Sequence, residues 1–180
     1  GGTDIVAGSS VTIDGPSVSA TDVDIIASAT ATSITVDVDG GILADNITVI
    51  GTTTVKTITV KGDAGVGADV YTVTLANFGT DTTSTVTVDL SGVVADTTNQ
   101  SAVTIDIDAE VTNKVSVTGS KGSNDTVNID GAVNYATKGL VLSGVEKVTI
   151  DNDITMDAST ISGQTIAFTG VSTDVVTLNG

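Results

Sequence analysis

The sequence contains no Cys, no His, no Trp and no Arg. Each absence closes off a chemistry. Without Cys or His there is no thiolate or imidazole nucleophile and no Cys/His zinc site. Without Arg there is no bidentate fork for a phosphate or a substrate carboxylate. Aromatic rings are scarce: Tyr71, Phe78, Tyr135 and Phe168 are the only ones in 180 residues. The core must therefore be built from Val, Ile, Leu and Ala, and such small side chains suit a narrow, layered core better than a thick one. The single proline, Pro16, lies in a turn-like Asp14-Gly15-Pro16-Ser17 segment. No apolar run approaches the ~20 residues that span a bilayer.

Positive charge is also short. Twenty Asp and two Glu face six Lys, for a formal net charge of −16. A field of that sign repels nucleic acid and anionic membrane, so neither is an expected partner and no membrane insertion is expected. Hard cations are the natural counter-ions, and Ca²⁺ prefers the oxygen ligands this chain holds in excess.

What the chain does have is alternation. Thirty-three Thr and 28 Val recur in runs such as Ile34-Thr35-Val36-Asp37-Val38, Thr57-Ile58-Thr59-Val60 and Val103-Thr104-Ile105-Asp106-Ile107. Period-two alternation of β-branched and polar residues makes one strand face apolar and the other wet. The pattern predicts an all-β chain with strands near 11–13, 23–26, 34–38, 47–50, 55–60, 70–75, 85–90, 102–107, 115–118, 126–129, 140–142, 147–150, 164–168 and 175–178, and no amphipathic helix. Asp39-Gly40-Gly41, Lys61-Gly62-Asp63, Asp130-Gly131 and Ser162-Gly163 mark joins. No linker interrupts the pattern, so residues 1–180 read as a single β-rich unit. The pattern is already running at both ends, as expected for a fragment of a longer secreted protein.

Two architectures fit. An irregular parallel β-solenoid pairs each strand with the next in parallel; a β-sandwich pairs neighbours antiparallel across two sheets. A frame Asp-x-φ-x-φ, where φ is apolar, starts at Asp45, Asp69, Asp125 and Asp174, at intervals of 24, 56 and 49 residues. A strict solenoid holds its period better. In the solenoid version, Ile47 and Val49, Val73 and Leu75, Val127 and Ile129, and Val176 and Leu178 should stack in one column.

Carboxylates provide the candidate site. Four Asp-x-Asp pairs occur: Asp22/Asp24, Asp37/Asp39, Asp106/Asp108 and Asp151/Asp153. Residues i and i+2 of a strand share a face, ~6.6 Å apart, and two such carboxylates can lean toward one ion. A solvated face whose charges block edge aggregation is the plainer reading of any one pair. The segment Lys121-Gly122-Ser123-Asn124-Asp125-Thr126-Val127-Asn128-Ile129-Asp130 resembles one degenerate turn of the calcium nonapeptide Gly-Gly-x-Gly-x-Asp-x-φ-x of secreted repeat proteins. Gly65-Val66-Gly67-Ala68-Asp69-Val70 is a second such segment. The candidate metal ligands are therefore Asn124, Asp125, Asp130, Asp69, Asp106, Asp108, Asp37 and Asp39. Glu110 and Glu146 read as surface residues. A glycosidase could use paired carboxylates, but a glycan cleft also wants aromatic platforms and Arg or His, so no enzyme activity is expected.

The C-terminal half, over roughly residues 115–180, carries a more specific resemblance. Leu140-Val141-Leu142-Ser143-Gly144-Val145-Glu146-Lys147-Val148-Thr149-Ile150 resembles the "φ-φ-SGVE-x-φ-x-φ" phrase of surface-layer proteins of Gram-negative bacteria. Met156-Asp157-Ala158-Ser159-Thr160-Ile161-Ser162-Gly163 is similar to their "DASxxxG" phrase, and Ser172-Thr173-Asp174-Val175-Val176-Thr177-Leu178-Asn179-Gly180 to "GADTVTLTG". The resemblance implies a type I-secreted, RTX-related, calcium-dependent structural protein at the bacterial cell surface. Its partners would be copies of itself in a two-dimensional lattice, and lipopolysaccharide through regions outside this stretch. A stalk or binding module of a large secreted adhesin has the same texture and is the competing reading; a β-helical polysaccharide-active enzyme is a distant third.

Overall fold

A computed structural model describes residues 3–7, 10–13, 22–28, 33–38, 46–50, 57–62, 71–76, 85–91, 103–108, 114–122 and 124–180. Among these, seventeen strands, numbered β1–β17 in chain order, form three sheets. The eight-stranded sheet runs β1 (Thr3–Ala7), β3 (Asp22–Ala27), β5 (Asn46–Ile50), β7 (Tyr71–Ala76), β9 (Val103–Ile107), β11 (Thr126–Ile129), β14 (Lys147–Ile150), β16 (Ala167–Thr169). The six-stranded sheet runs β13 (Leu140–Ser143), β10 (Lys114–Thr118), β8 (Thr85–Asp89), β6 (Thr57–Gly62), β4 (Ser33–Val38), β2 (Ser10–Ile13). The third holds β12 (Val133–Asn134), β15 (Ile154–Asp157) and β17 (Val176–Asn179).

All fourteen pairings are parallel. The antiparallel neighbours of a sandwich do not occur among the described residues. Nor does any strand pair with its immediate successor. Successive strands go to different sheets, so a strand meets the one two places on. Between β10 and β15, where the third sheet joins, it meets the one three places on. Parallel pairing demands this, because a parallel partner can be reached only by a crossover and never by a tight hairpin.

The register explains the alternation in the sequence. Val73 pairs with Ile105, Ile105 with Val127 and Val127 with Val148, and all four are fully buried. Leu75, Ile107, Ile129 and Ile150 form the neighbouring ladder. The polar residues between them stand on the other face. The six-stranded sheet contributes Val86, Val88, Val115 and Val117 to the same continuous core. The expected column is thus seen for Ile47/Val49, Val73/Leu75 and Val127/Ile129. It fails for Val176 and Leu178, which pair with Ile154 and Met156 in the third sheet. That also accounts for the uneven Asp-x-φ-x-φ intervals. Strands β7 and β11, which continue the copies that start at Asp69 and Asp125, lie two steps apart in the eight-stranded sheet with β9 between them, and the copy at Asp174 leads into another sheet.

Strands β1, β12 and β15 were not expected from the pattern, and neither were two short helical turns. Helix α1 (Tyr135–Lys138) is capped by Asn134, whose Oδ1 accepts the Ala136 N–H, and it ends at Gly139. A 3-10 helix, Ala158–Ile161, is capped by Asp157. It packs on β13, the last strand of the six-stranded sheet. Tyr135 belongs to the core, which was expected to be aliphatic throughout.

Candidate functional site

The polar residues concentrate at the two ends of the short strands β11 and β14. At the upstream end, Asp125 is fully buried. Its carboxylate accepts the Ser120 N–H at 2.6 Å and the Ser120 hydroxyl at 2.8 and 2.9 Å. Its carbonyl accepts the N–H groups of Glu146 and Lys147, one step along the stack. In return, Glu146 Oε2 accepts the Asp125 N–H at 2.9 Å. Glu146 is therefore half-buried and structural, which corrects the expectation of a surface residue. Val145 fills the core beside it, and Gly119 donates its N–H to the Ser143 carbonyl at 2.8 Å. The two glycines of this corner touch: a Cβ on Gly119 would stand 1.9 Å from the Gly144 carbonyl oxygen and 2.7 Å from Asp125 Oδ2. Gly144 itself has φ 62°, which an L side chain rarely adopts. Every residue of the Ser143-Gly144-Val145-Glu146 phrase thus has a role in closing one corner.

At the downstream end, Ile107, Ile129 and Ile150 are in register, and each is followed by an aspartate: Asp108, Asp130 and Asp151. Adjacent strands lie ~4.8 Å apart, so these carboxylates form an acidic edge. Burial, and then the charges of Asp151, Asp106 and Asp108, push the Asp130 carboxyl above its ordinary range. Asp106 is engaged by Asn128, whose Nδ2 donates to Oδ1 at 2.6 Å. Asp151 Oδ1 accepts the Gly131 N–H at 2.6 Å.

The structure separates some of the sequence candidates and gathers others. Asp125 and Asp130 stand at opposite ends of β11 and do not share a site. Asp106, Asp108, Asp130 and Asp151 lie along one edge of the sheet, close enough for their charges to act on Asp130. Asn124 is exposed in the turn before Asp125. Asp37 sits in β4, in register with Thr12 and Lys61. Asp39 and Asp69 lie outside the described residues. Among the described residues, no three acidic side chains are grouped so that they could hold a metal ion. No helix among them is long and apolar enough to cross a membrane.

Several of the described acids lock turns. Ser91 donates its N–H to Asp89, Ser159 to Asp157, Val171 to Asp174 and Val175 to Asp153. With Asp125, Glu146 and Asp151, seven carboxylates accept a backbone N–H that the turn leaves without a ladder partner. A short carboxylate reaches a nearby N–H easily, and the charge strengthens the bond. An Asp two to five residues from a Ser or Gly at a strand boundary was a readable signal for this role, in Asp89-Leu90-Ser91, Asp157-Ala158-Ser159 and Ser120 to Asp125.

These features define a class: an all-β protein of parallel sheets, several of whose described corners are closed by carboxylates. Beyond that class, comparison with known proteins adds nothing, since no family model, curated protein or solved structure matches the chain.

Proposed function

We propose that this chain is a structural, non-enzymatic part of a bacterial surface layer, folded as an irregular parallel β-solenoid and displayed outside the cell by a type I-secreted, calcium-dependent protein. The observation that carries the reading is the continuous ladder Val73–Ile105–Val127–Val148, backed by a polar outer face and, from β11 onward, closed at its corners by turn-locking carboxylates. Such a stack provides length and surface area with a thin core, and its residues are spent on corners and ladders. The surface-layer phrases fall on the same structural points: "SGVE" on the Asp125 corner, "DASxxxG" on the 3-10 helix, and the last phrase on β17 and the turn before it.

Calcium enters this reading as the counter-ion of a chain with net charge −16, with the Asp106/Asp108/Asp130/Asp151 edge as the place where like charges already crowd. An acidic chain stays extended by self-repulsion where calcium is scarce and compacts where it is ~millimolar. One site filled at 100-fold excess over Kd contributes about 2.7 kcal/mol.

The test is imaging of the full-length protein by negative stain with and without calcium. Two-dimensional arrays that form only with calcium are expected. Calcium-stabilised monomers would favour the adhesin-stalk reading. Coincident thermal melts in chelator and in millimolar CaCl₂ would remove calcium from the proposal.

A further inference from the structure

Three of the carboxylate locks reach across the stack rather than along the turn. Glu146 Oε2 accepts the Asp125 N–H at 2.9 Å, Asp151 Oδ1 accepts the Gly131 N–H at 2.6 Å, and Asp153 Oδ1 accepts the Val175 N–H at 2.9 Å. The partners are 21, 20 and 22 residues apart. Each separation is about one step of the stack, since Val127 pairs with Val148 and Ile154 with Val176. The three N–H groups share a second property. Each belongs to the residue that follows an Asn or an Asp: Asn124-Asp125, Asp130-Gly131 and Asp174-Val175. The local locks, by contrast, hold N–H groups that follow Leu, Gly or Ala.

The nitrogen after an Asn or Asp is the one that can attack that residue's own side chain. Gly131 N would add to Asp130 Cγ and form an N–Cγ bond; the Cγ–OH bond breaks, and the N–H proton leaves with the hydroxyl as water. The product is a five-membered succinimide ring. Water then adds to the ring at the Asp130 main-chain carbonyl carbon and breaks its bond to nitrogen. Isoaspartate is left, with the chain now running through Cγ. At Asn124 the same closure by the Asp125 nitrogen expels ammonia. Glycine in the attacking position has no Cβ to hinder the approach, so Asp130-Gly131 is the most reactive of the three. Ring closure needs the nitrogen turned toward Cγ. That turn is opposed on both sides of Asp130, whose N–H is tied to the Ile107 carbonyl at 3.0 Å while the Gly131 N–H is tied to Asp151. A charged acceptor makes the second bond a strong one.

We propose that Asp130-Gly131 is a latent isoaspartate site and that the Asp151 carboxylate, one step further along the stack, keeps it closed, as Glu146 does for Asn124. Isomerisation inserts an extra main-chain atom between β11 and β12, in a corner that must hold the register of the next turn. The reaction proceeds only from molecules in which the lock is open, so its rate reads the lock directly. This proposal does not depend on the surface-layer reading, since it rests on these hydrogen bonds alone.

The experiment is a long incubation of the native chain at neutral pH, beside the same chain unfolded in guanidinium chloride, followed by cleavage at lysine. Residues 122–138 form one lysine-bounded peptide that holds both Asn124 and Asp130. Electron-transfer fragmentation of that peptide reads isoaspartate at each position. Native wild type should isomerise at Asp130 at least about tenfold more slowly than the unfolded chain. Asp151→Ala should speed Asp130 by about tenfold and leave Asn124 at its wild-type rate. Glu146→Ala should do the reverse, so either variant decides if the other fails to fold. Asp151→Asn, whose Oδ1 can still accept the N–H, should keep most of the protection. Equal rates at Asp130 in native and unfolded wild type would overturn the proposal. So would a folded Asp151→Ala that isomerises at the wild-type rate, or a rise at Asp130 and Asn124 together, which marks general loosening and not a lock.

Discussion

Asp125 and Asp130 stand at opposite ends of one four-residue strand, and the fold uses them in opposite ways. Upstream, Asp125 is buried, its carboxylate held by the Ser120 N–H and hydroxyl and its own N–H taken by Glu146 Oε2. Downstream, Asp130 lies on the acidic edge, where partial burial and then the charges of Asp151, Asp106 and Asp108 disfavour its charged form. The two residues look alike in sequence, each beside Asn, Gly or Ser at a strand boundary. What separates them is which groups the stack brings alongside. One strand step upstream supplies N–H donors, and one step downstream supplies more aspartates.

The largest effect should come from Gly119→Ala. The new Cβ would meet the Gly144 carbonyl oxygen at 1.9 Å, and backbone cannot yield as a side-chain tip can. The cost should reach about 3 kcal/mol or more, read as a lower denaturant midpoint with loss of cooperativity. A wild-type midpoint would mean that the corner is not closed as described.

Asp125→Ala should come next, at about 2–3 kcal/mol, because it strands the buried Ser120 N–H without an acceptor. Asp125→Asn, which keeps an oxygen, should cost less. The same series separates a corner lock from a metal ligand. A lock costs the same in chelator and in millimolar calcium, whereas a ligand loses its importance once calcium is gone. Equal losses in the two buffers are expected.

Much of this fold could be read from residues. The Thr/Val alternation marked β3 to β11 because a parallel strand with one wet face needs that period. What could not be read was sheet membership. Val127-Asn128-Ile129 and Val176-Thr177-Leu178 carry the same pattern, yet they lie in different sheets, since period two states which face is apolar and not which sheet receives it. β12 was missed because two residues cannot show a period. The acidic site was half legible. Asp-x-Asp spacing drew Asp106 and Asp108 together with no structural help, but only register put Asp130 and Asp151 beside them. The Asp125–Glu146 exchange links residues 21 apart in the chain, and that distance equals one step of the stack, Thr126 to Lys147. Without the step length, Glu146 looked like solvent-facing charge.

Tyr135 offers a milder test on neutral ground between the two corners. Its hydroxyl is buried with no hydrogen-bond partner, and burial pushes its pKa well above the usual range. Removing the oxygen leaves nothing unpaired. Tyr135→Phe should raise stability by about 1 kcal/mol, read as a higher Tm. A loss instead would show that the hydroxyl finds a partner in solution.

The smallest effect, and the one of opposite sign to Asp125, belongs to Asp130→Asn. A carboxyl whose pKa is raised by folding binds its proton more tightly in the native state, so its charged form costs stability at pH above that raised value. Replacing it with a neutral amide should therefore stabilise the protein at neutral pH, by about 0.5 kcal/mol or less given its exposure. The gain should fade as pH falls through the raised Asp130 pKa and vanish below the ordinary carboxylate range, where the wild-type residue is itself protonated. Asp157 supplies the control. Its hydrogen bonds from Ser159 lower its pKa, so its contribution is present above the ordinary value and is lost as pH falls through the lowered one. A cation resting on the acidic edge would neutralise the repulsion that Asp130→Asn relieves, so the variant's advantage should be largest in chelator and shrink or reverse in millimolar CaCl₂. An advantage identical in both buffers would place calcium elsewhere, or nowhere, on this stretch of chain.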